Sequence, residues 1–135
     1  MNKVVVGAQW GDEGKAKITD LLAQDADLII RDHGGCNAGH TVVAHNKTFK
    51  FHLIPSGILY KGKTGFLGAG TVILPEYFEK EIQGLIDEGI DVSGLKINPL
   101  ASITMPYHTE VDGYCEDNAQ KGKIGTTKKG IGPTY

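Results

Sequence analysis

The sequence has little cysteine and no long apolar run, and each shortage removes a class of protein. Cys36 and Cys115 are the two thiols present, and without CxxC spacing they make neither a disulfide framework nor a cysteine zinc site. That usage suits a reducing cytoplasm, where we expect the protein to reside. No apolar stretch reaches the roughly 18 residues that a membrane-spanning helix needs, and the N-terminus runs straight into a strand pattern rather than a secretory leader. A basic block is also missing: 14 Lys and Arg stand against 16 Asp and Glu, for a net charge of −2. The lysines are scattered from Lys3 to Lys129, so neither nucleic acid nor an anionic membrane is an expected partner. A small molecule is. What the chain does have is glycine, 19 in 135 residues, about twice the usual 7%. These glycines cluster at turns rather than in a repeat. The length suits one domain with a real core.

Val4-Val5-Val6 is a short β-branched run ending at Gly7, the pattern of a fully buried strand. From about Gly14 to Ala23, Ile18, Leu21 and Leu22 recur at helical spacing, and "DLIIR" reads as a second buried strand. Strand, glycine turn, helix and strand form a βαβ unit. "TVVAHNKTFKFHLI" alternates about His45-Asn46 as an antiparallel hairpin, and "GFLGAGTVI" is another strand. Pro75 opens a helix with Phe78, Ile82, Leu85 and Ile86 on one face, ending near Gly89. "LKINPLASI" returns as a strand, Tyr107, Val111 and Tyr114 line a further helix, and "KGKIGTTKKGIGPTY" is a glycine- and lysine-rich loop. The expected fold is α/β: a mostly parallel sheet with flanking helices, a P-loop-like strand-loop-helix start and an inserted antiparallel hairpin. A chain closing on an elaborate loop leads us to expect residues 1–135 to be the N-terminal part of a larger domain.

Chemistry concentrates in three loops. "VVVGAQWGDEGKAK" carries Gly7, Gly11 and Gly14 between a strand and a helix, where free amides and the positive helix end suit phosphate oxygens. Lys15 adds a point charge. The spacing departs from GxxxxGK[ST], with Gln9 at the first glycine position and Ala16 in place of the magnesium-binding hydroxyl. Asp12 is then the candidate ligand for a hard cation, although Asp12 and Glu13 would equally complement the helix N-terminus. "GGCNAGHT" holds Asn37, His40 and Thr41 close together, and His40 is the histidine with the company of a functional loop. His33, His45, His52 and His108 receive a structural reading. "GTTKKGIGP" sets Thr126 and Thr127 beside Lys128 and Lys129, a collar for a phosphate monoester, although a solvated basic loop has the same composition.

"QWGDEGKAK", "GGCNAGHT", "HLIPSGIL" and "GTTKKGIGP", in that order, resemble the N-terminal region of the adenylosuccinate synthetase family, whose members join inosinate (IMP) to L-aspartate with GTP and Mg2+ in purine biosynthesis. The resemblance covers essentially the whole chain. It implies a C–N bond-forming ligase with Asp12 and His40 as catalytic residues. By resemblance Asp12 takes the N1 proton of IMP so that O6 attacks the γ-phosphate of GTP, and His40 assists as acid. Asp12 and the carbonyl of Gly39 would hold magnesium. GTP would meet Gly11, Asp12, Glu13, Gly14, Lys15, Ala16 and Lys17, then Gly39, His40 and Thr41. IMP would meet Asp12, Glu13, Gly14 and Lys15, then Asn37, Ala38, Gly39 and His40, with Thr127 at its phosphate. A homodimer is implied for the full-length form.

Two departures stand out: Ala16, where the family usually has glycine, and Asp32-His33, where an aromatic or small residue and an amide are commoner. They bear on the phosphate approach and on the loop below the nucleotide. Family members also continue well past this length, into segments for guanine, aspartate and the partner subunit, so these residues alone are not expected to turn over. Two other readings remain open at this point: a free-standing nucleotide- or phosphate-binding module without catalysis, and an enzyme of the same class acting on another 6-oxopurine monophosphate.

Overall fold

The longest strand explains the rest of the architecture. "TGFLGAGTVI" is apolar or glycine almost throughout, a composition suited to a strand covered on both faces and paired on both edges. In the computed structural model, which describes residues 1–9, 14–119 and 122–135, it is the fourth of six strands. In chain order these are β1 (Leu28–Gly34), β2 (His40–Ala44), β3 (Lys47–Phe51), β4 (Thr64–Ile73), β5 (Leu95–Ile97) and β6 (Ser102–Ile103). β4 pairs in parallel with β1 along one edge, with β5 along the other, and with β6 beyond β5. Leu67 and Val72 of β4 are fully buried. The β1 register slips between Arg31 and His33, a bulge that bends the strand as it enters its glycine loop.

β2 and β3 form a separate antiparallel hairpin in which His40 faces Phe51 and Ala44 faces Lys47. Its two-residue turn is His45-Asn46, both at positive φ (52° and 60°), the mirror-image turn whose twist matches the flanking strands. Asparagine tolerates that conformation well. The hairpin's inner face, Val42, Ala44, Phe49 and Phe51, packs with Ile54, Ile58 and Leu59 into the main core. Helix α2 (Pro75–Asp87) covers it with Phe78, Ile82 and Leu85. Proline at its first position, Glu76 in its first turn and Gly89 at φ 79° beyond its end match the expected punctuation. A second cluster of Leu53, Leu67 and Ile73 lies against β4.

The remaining helices are α1 (Lys15–Ala23), α3 (Pro106–Asp117) and α4 (Ile131–Thr134). α1 packs on β2 and on the 3-10 turn Ser56–Leu59, and α3 packs on α4.

The mixed α/β class, the parallel sheet and the inserted hairpin follow the sequence expectation, and five details differ. Val4-Val5-Val6 does not form a strand: Val4 and Val6 are 86% and 76% exposed. A buried parallel strand exists only by pairing with neighbours, and among the described residues it has no strand partner. The P-loop-like start is therefore realised in its helix but not in its strand. β1 is an edge strand that buries Ile29 and leaves Leu28 and Ile30 exposed, rather than being fully buried. Ile86 lies outside the α2 contact face and is exposed, because at i+4 from Ile82 but i+1 from Leu85 it falls at the stripe's margin. "LKINPLASI" is split into β5 and β6 by a turn at Asn98–Ala101, where Pro99 brings no amide to a ladder. Tyr107, Val111 and Tyr114 are exposed, and α3 buries Glu116 on its other side.

Candidate functional site

β1 ends at Gly34 and passes into Gly35–Gly39, while the tail of the chain returns to the same place. In an open α/β sheet the loops beyond the carboxyl ends of parallel strands are the natural ligand crevice. Gly35 and Cys36 are buried, Asn37, Ala38, Gly39 and Thr41 are exposed, and His40 is half-buried. The His40 ring stacks on Phe51 with centroids 5.4 Å apart and planes 18° from parallel. A Cβ on Gly39 would come within 2.9 Å of the His52 ring, so the turn into His40 requires glycine for close approach. Burial foremost, then the positive charge of Arg31 and the neighbouring His52, hold the His40 pKa below its ordinary 6.5, while Asp20 of α1 pulls the other way. These surroundings favour the neutral form of the His40 imidazole.

The tail loop is suspended from α3. Glu116 accepts the amides of Ile124 (3.2 Å) and Gly125 (2.8 Å), Asp112 accepts that of Gly130 (2.9 Å), and Asp117 pairs with Lys128. Gly130 sits at φ 71° with the His108 backbone where a Cβ would be. Lys129 reaches the glycine loop, donating to the Cys36 carbonyl at 2.7 Å while lying over the Tyr77 ring. Tyr135 completes the seam: its hydroxyl accepts the Gly34 amide at 2.9 Å and donates to the Gly70 carbonyl. Thr126 is half-buried and Thr127 exposed. The lysines expected to join that collar are engaged elsewhere, Lys128 with Asp117 and Lys129 with Cys36, because each finds an oxygen acceptor within the fold.

Of the first loop, Gly11, Asp12 and Glu13 lie outside the described residues. Gly14 stands at φ 78° at the mouth of α1, and Lys15, Ala16 and Lys17 form its first turn. Asp20, further along α1, accepts from the Tyr60 hydroxyl at 3.2 Å and is close enough to act on His40. The structure thus brings together the glycine loop with His40, the tail loop and the flank of α1. Among the described residues no group of three His, Cys, Asp or Glu is arranged to hold a metal.

The other histidines have structural settings. His45 Nε2 contacts the Leu59 carbonyl at 3.0 Å, His52 Nδ1 contacts that of Ala38 at 3.3 Å, and His108 Nδ1 accepts the Met105 amide at 3.0 Å. His33 is exposed beside Asp32. Both thiols are free, Cys36 buried and Cys115 exposed.

Sequence reasoning missed Arg31 and Glu81. Arg31, midway along β1 at its register slip, donates to the carbonyls of His33, Gly35 and His52, and Glu81 of α2 accepts the amides of His52, Leu53 and Ile54. The signal was present, since Glu81 lies within the stripe of Phe78, Ile82 and Leu85 and Arg31 closes an apolar run. A charge on a core-facing position is kept only with partners.

Known proteins match along the whole chain. Residues 4–135 match the family described as adenylosuccinate synthetase. An adenylosuccinate synthetase of Prochlorococcus marinus (strain AS9601) is 59% identical over 134 residues, 99% of this chain and 31% of that protein. The chain thus spans about a third of the length of the curated relatives it matches. The fully ligated adenylosuccinate synthetase of Plasmodium falciparum superposes with a TM-score of 0.82 at 40% identity, over 95% of this chain and 30% of that one. A succinoaminodeoxyadenylate synthetase of cyanophage S-2L, solved with dGMP and dATP, shares the fold at TM-score 0.72 and 23% identity, over 93% of this chain and 34% of that one. With residues 4–135 matched by the family as a whole and the fold shared with a solved member, the chain belongs to the adenylosuccinate synthetase family.

Proposed function

We propose that this chain supplies the phosphoryl-transfer end of an adenylosuccinate synthetase, and that the whole protein ligates IMP and L-aspartate at the cost of GTP. The match over residues 4–135 carries this reading. Asp12 removes the proton from N1 of IMP, and the electron pair released through the ring lets O6 attack the γ-phosphorus. The γ-phosphoryl bond to GDP breaks and 6-phosphoryl-IMP forms. Aspartate's amine then adds at C6 and inorganic phosphate leaves, giving adenylosuccinate. Such chemistry is governed by position and charge neutralisation, with one proton removed to create the nucleophile.

His40 has the setting this role asks for. Burial first holds its pKa below 6.5; negative phosphoryl oxygens beside it would act in the opposite direction and favour the protonated ring, which can donate a charge-assisted hydrogen bond. GTP phosphates would meet Lys15 and the α1 amides together with Gly11, Glu13, Gly14, Ala16, Lys17 and Thr41, and IMP would meet Asn37, Ala38 and Gly39. Thr127, exposed on a loop that is otherwise tied down, is left for the IMP phosphate. A carboxylate at Asp12 and a main-chain carbonyl at exposed Gly39 are the hard oxygen donors Mg2+ uses, and two protein ligands suffice because that ion keeps phosphate and water in its shell. When bound it would neutralise charge on the phosphates. A cytoplasmic homodimer is the expected form of the whole protein.

The test is adenylosuccinate formation by the complete gene product, followed by absorbance with GTP, IMP and aspartate supplied. Asp12→Asn should lower kcat by about 10²–10⁴ while GTP affinity stays within a few-fold. Near-normal turnover in that variant would remove Asp12 as the base. Failure of the wild-type gene product to consume GTP with IMP and aspartate present would remove the synthetase reading itself.

A further inference from the structure

Arg31 and Glu81 grip one short stretch of backbone from opposite sides. Glu81 Oε1 accepts the amides of His52 (2.9 Å), Leu53 (3.2 Å) and Ile54 (3.0 Å), with Oε2 also on Leu53 (3.0 Å). Arg31 takes the His52 carbonyl with Nη1 (2.5 Å), the Gly35 carbonyl with Nη2 (2.8 Å) and the His33 carbonyl with Nε (3.3 Å). The His52 ring continues the chain of contacts to the Ala38 carbonyl. Phe51, adjoining the gripped segment and 1% exposed, is the ring on which His40 stacks. Both ends of the glycine loop are thereby fixed to one rigid piece.

We infer that Arg31 and Glu81 are positioning residues for His40, holding Phe51–Ile54 and Gly35 so that the imidazole and the Asn37–Gly39 run meet the substrates in one register. Catalytic groups need to be held to within a fraction of an ångström, and misplacement by about 1 Å costs on the order of 10²-fold in rate. Arginine suits this place because its planar fork serves several carbonyls at fixed angles, whereas lysine offers a point charge. Glutamate suits the other side because a carboxylate accepts several successive amides. Burial draws the Arg31 pKa down and the Glu81 charge opposes that, so Glu81 helps to make the burial of Arg31 tolerable.

The inference rests on the synthetase reading, and the experiment separates the two. In the complete gene product, Arg31→Lys and Glu81→Gln are expected to lower kcat per titrated active site by about 10–100-fold, with KM for IMP and GTP changed less than about threefold. Lys47→Ala, which removes the exposed Lys47–Glu88 pair joining the same hairpin to α2, should leave kcat unchanged. His40→Asn is then combined with Arg31→Lys. If Arg31 acts through His40, the double variant is no slower than His40→Asn alone. Additive losses, or losses confined to the melting temperature and the active fraction, would overturn the inference while leaving the synthetase reading intact. An inactive wild type would instead remove the synthetase reading, and the positioning would be read from the His40 ring NMR signals. One sharp set in wild type that becomes multiple in Arg31→Lys supports it, and unchanged signals overturn it.

Discussion

A single imidazole carries a pH signature. Because burial and Arg31 depress the folded-state pKa of His40 below 6.5, the unfolded chain takes up that proton at higher pH than the folded one does. The folded state is therefore unpenalised above about 6.5 and loses stability as pH falls through that value towards the lower folded one. In urea unfolding, His40→Asn is expected to flatten the stability profile as pH falls below the ordinary 6.5 of the ring, relative to wild type; superimposable slopes would show that the ring is not burdened by its surroundings. At this scale the sequence was legible where a residue's company was local. His40 could be picked out because Asn37 and Thr41 stand beside it, and His45 and His108 could be set aside. Arg31 and Glu81 were not legible as a pair, since their shared partner, His52, lies 21 residues from one and 29 from the other.

Elements were legible wherever local chemistry and tertiary packing agree. The hairpin is the clearest case: alternating β2 and β3 flank His45-Asn46, and both turn residues take the positive φ that the mirror-image turn demands. Since glycine accepts that conformation more readily than asparagine, Asn46→Gly should stabilise the chain by a few tenths to about 1 kcal/mol, seen as a raised thermal midpoint. His45→Gly should not gain likewise, because it also removes the contact with the Leu59 carbonyl. Helix α2 was readable from its stripe and its punctuation, and Leu85, 4% exposed in the main core, should cost about 2–5 kcal/mol when replaced by alanine. Val4–Val6 was misread as a strand, and the exposure of the Tyr107, Val111 and Tyr114 side of the correctly read helix α3 was not legible, for one reason. Periodicity reports which residues would be buried given a neighbour, and the neighbour is not local information. Pro99 inside "LKINPLASI" was the overlooked signal for two short strands rather than one.

Across the whole molecule, apolar surface is left open on several sides: the Val4–Val6 run, Leu28 and Ile30 of β1, Leu100, and the Tyr107 and Tyr114 side of α3. Patches of this kind are unusual on a stable monomer. Made as the isolated 135-residue chain, the protein is expected to bind a hydrophobic dye and to sediment as more than a monomer, whereas the complete gene product should do neither at that surface. A monodisperse, dye-silent chain would contradict this and favour a self-sufficient binding module. The seam between Tyr135, Gly34 and Gly70 has a consequence in time. Its phenol supplies a hydrogen-bond partner to an amide made 101 residues earlier. At the about 5–20 residues per second of ribosomal synthesis, the glycine loop waits roughly 5 to 20 s for this tie. Until then the loop has the earlier-made contacts of Arg31 with Gly35 and of His52 with Ala38. A nascent chain stalled before Tyr135 leaves the exit tunnel would show the Gly34 amide exchanging with solvent, and one stalled well beyond it would show that amide protected.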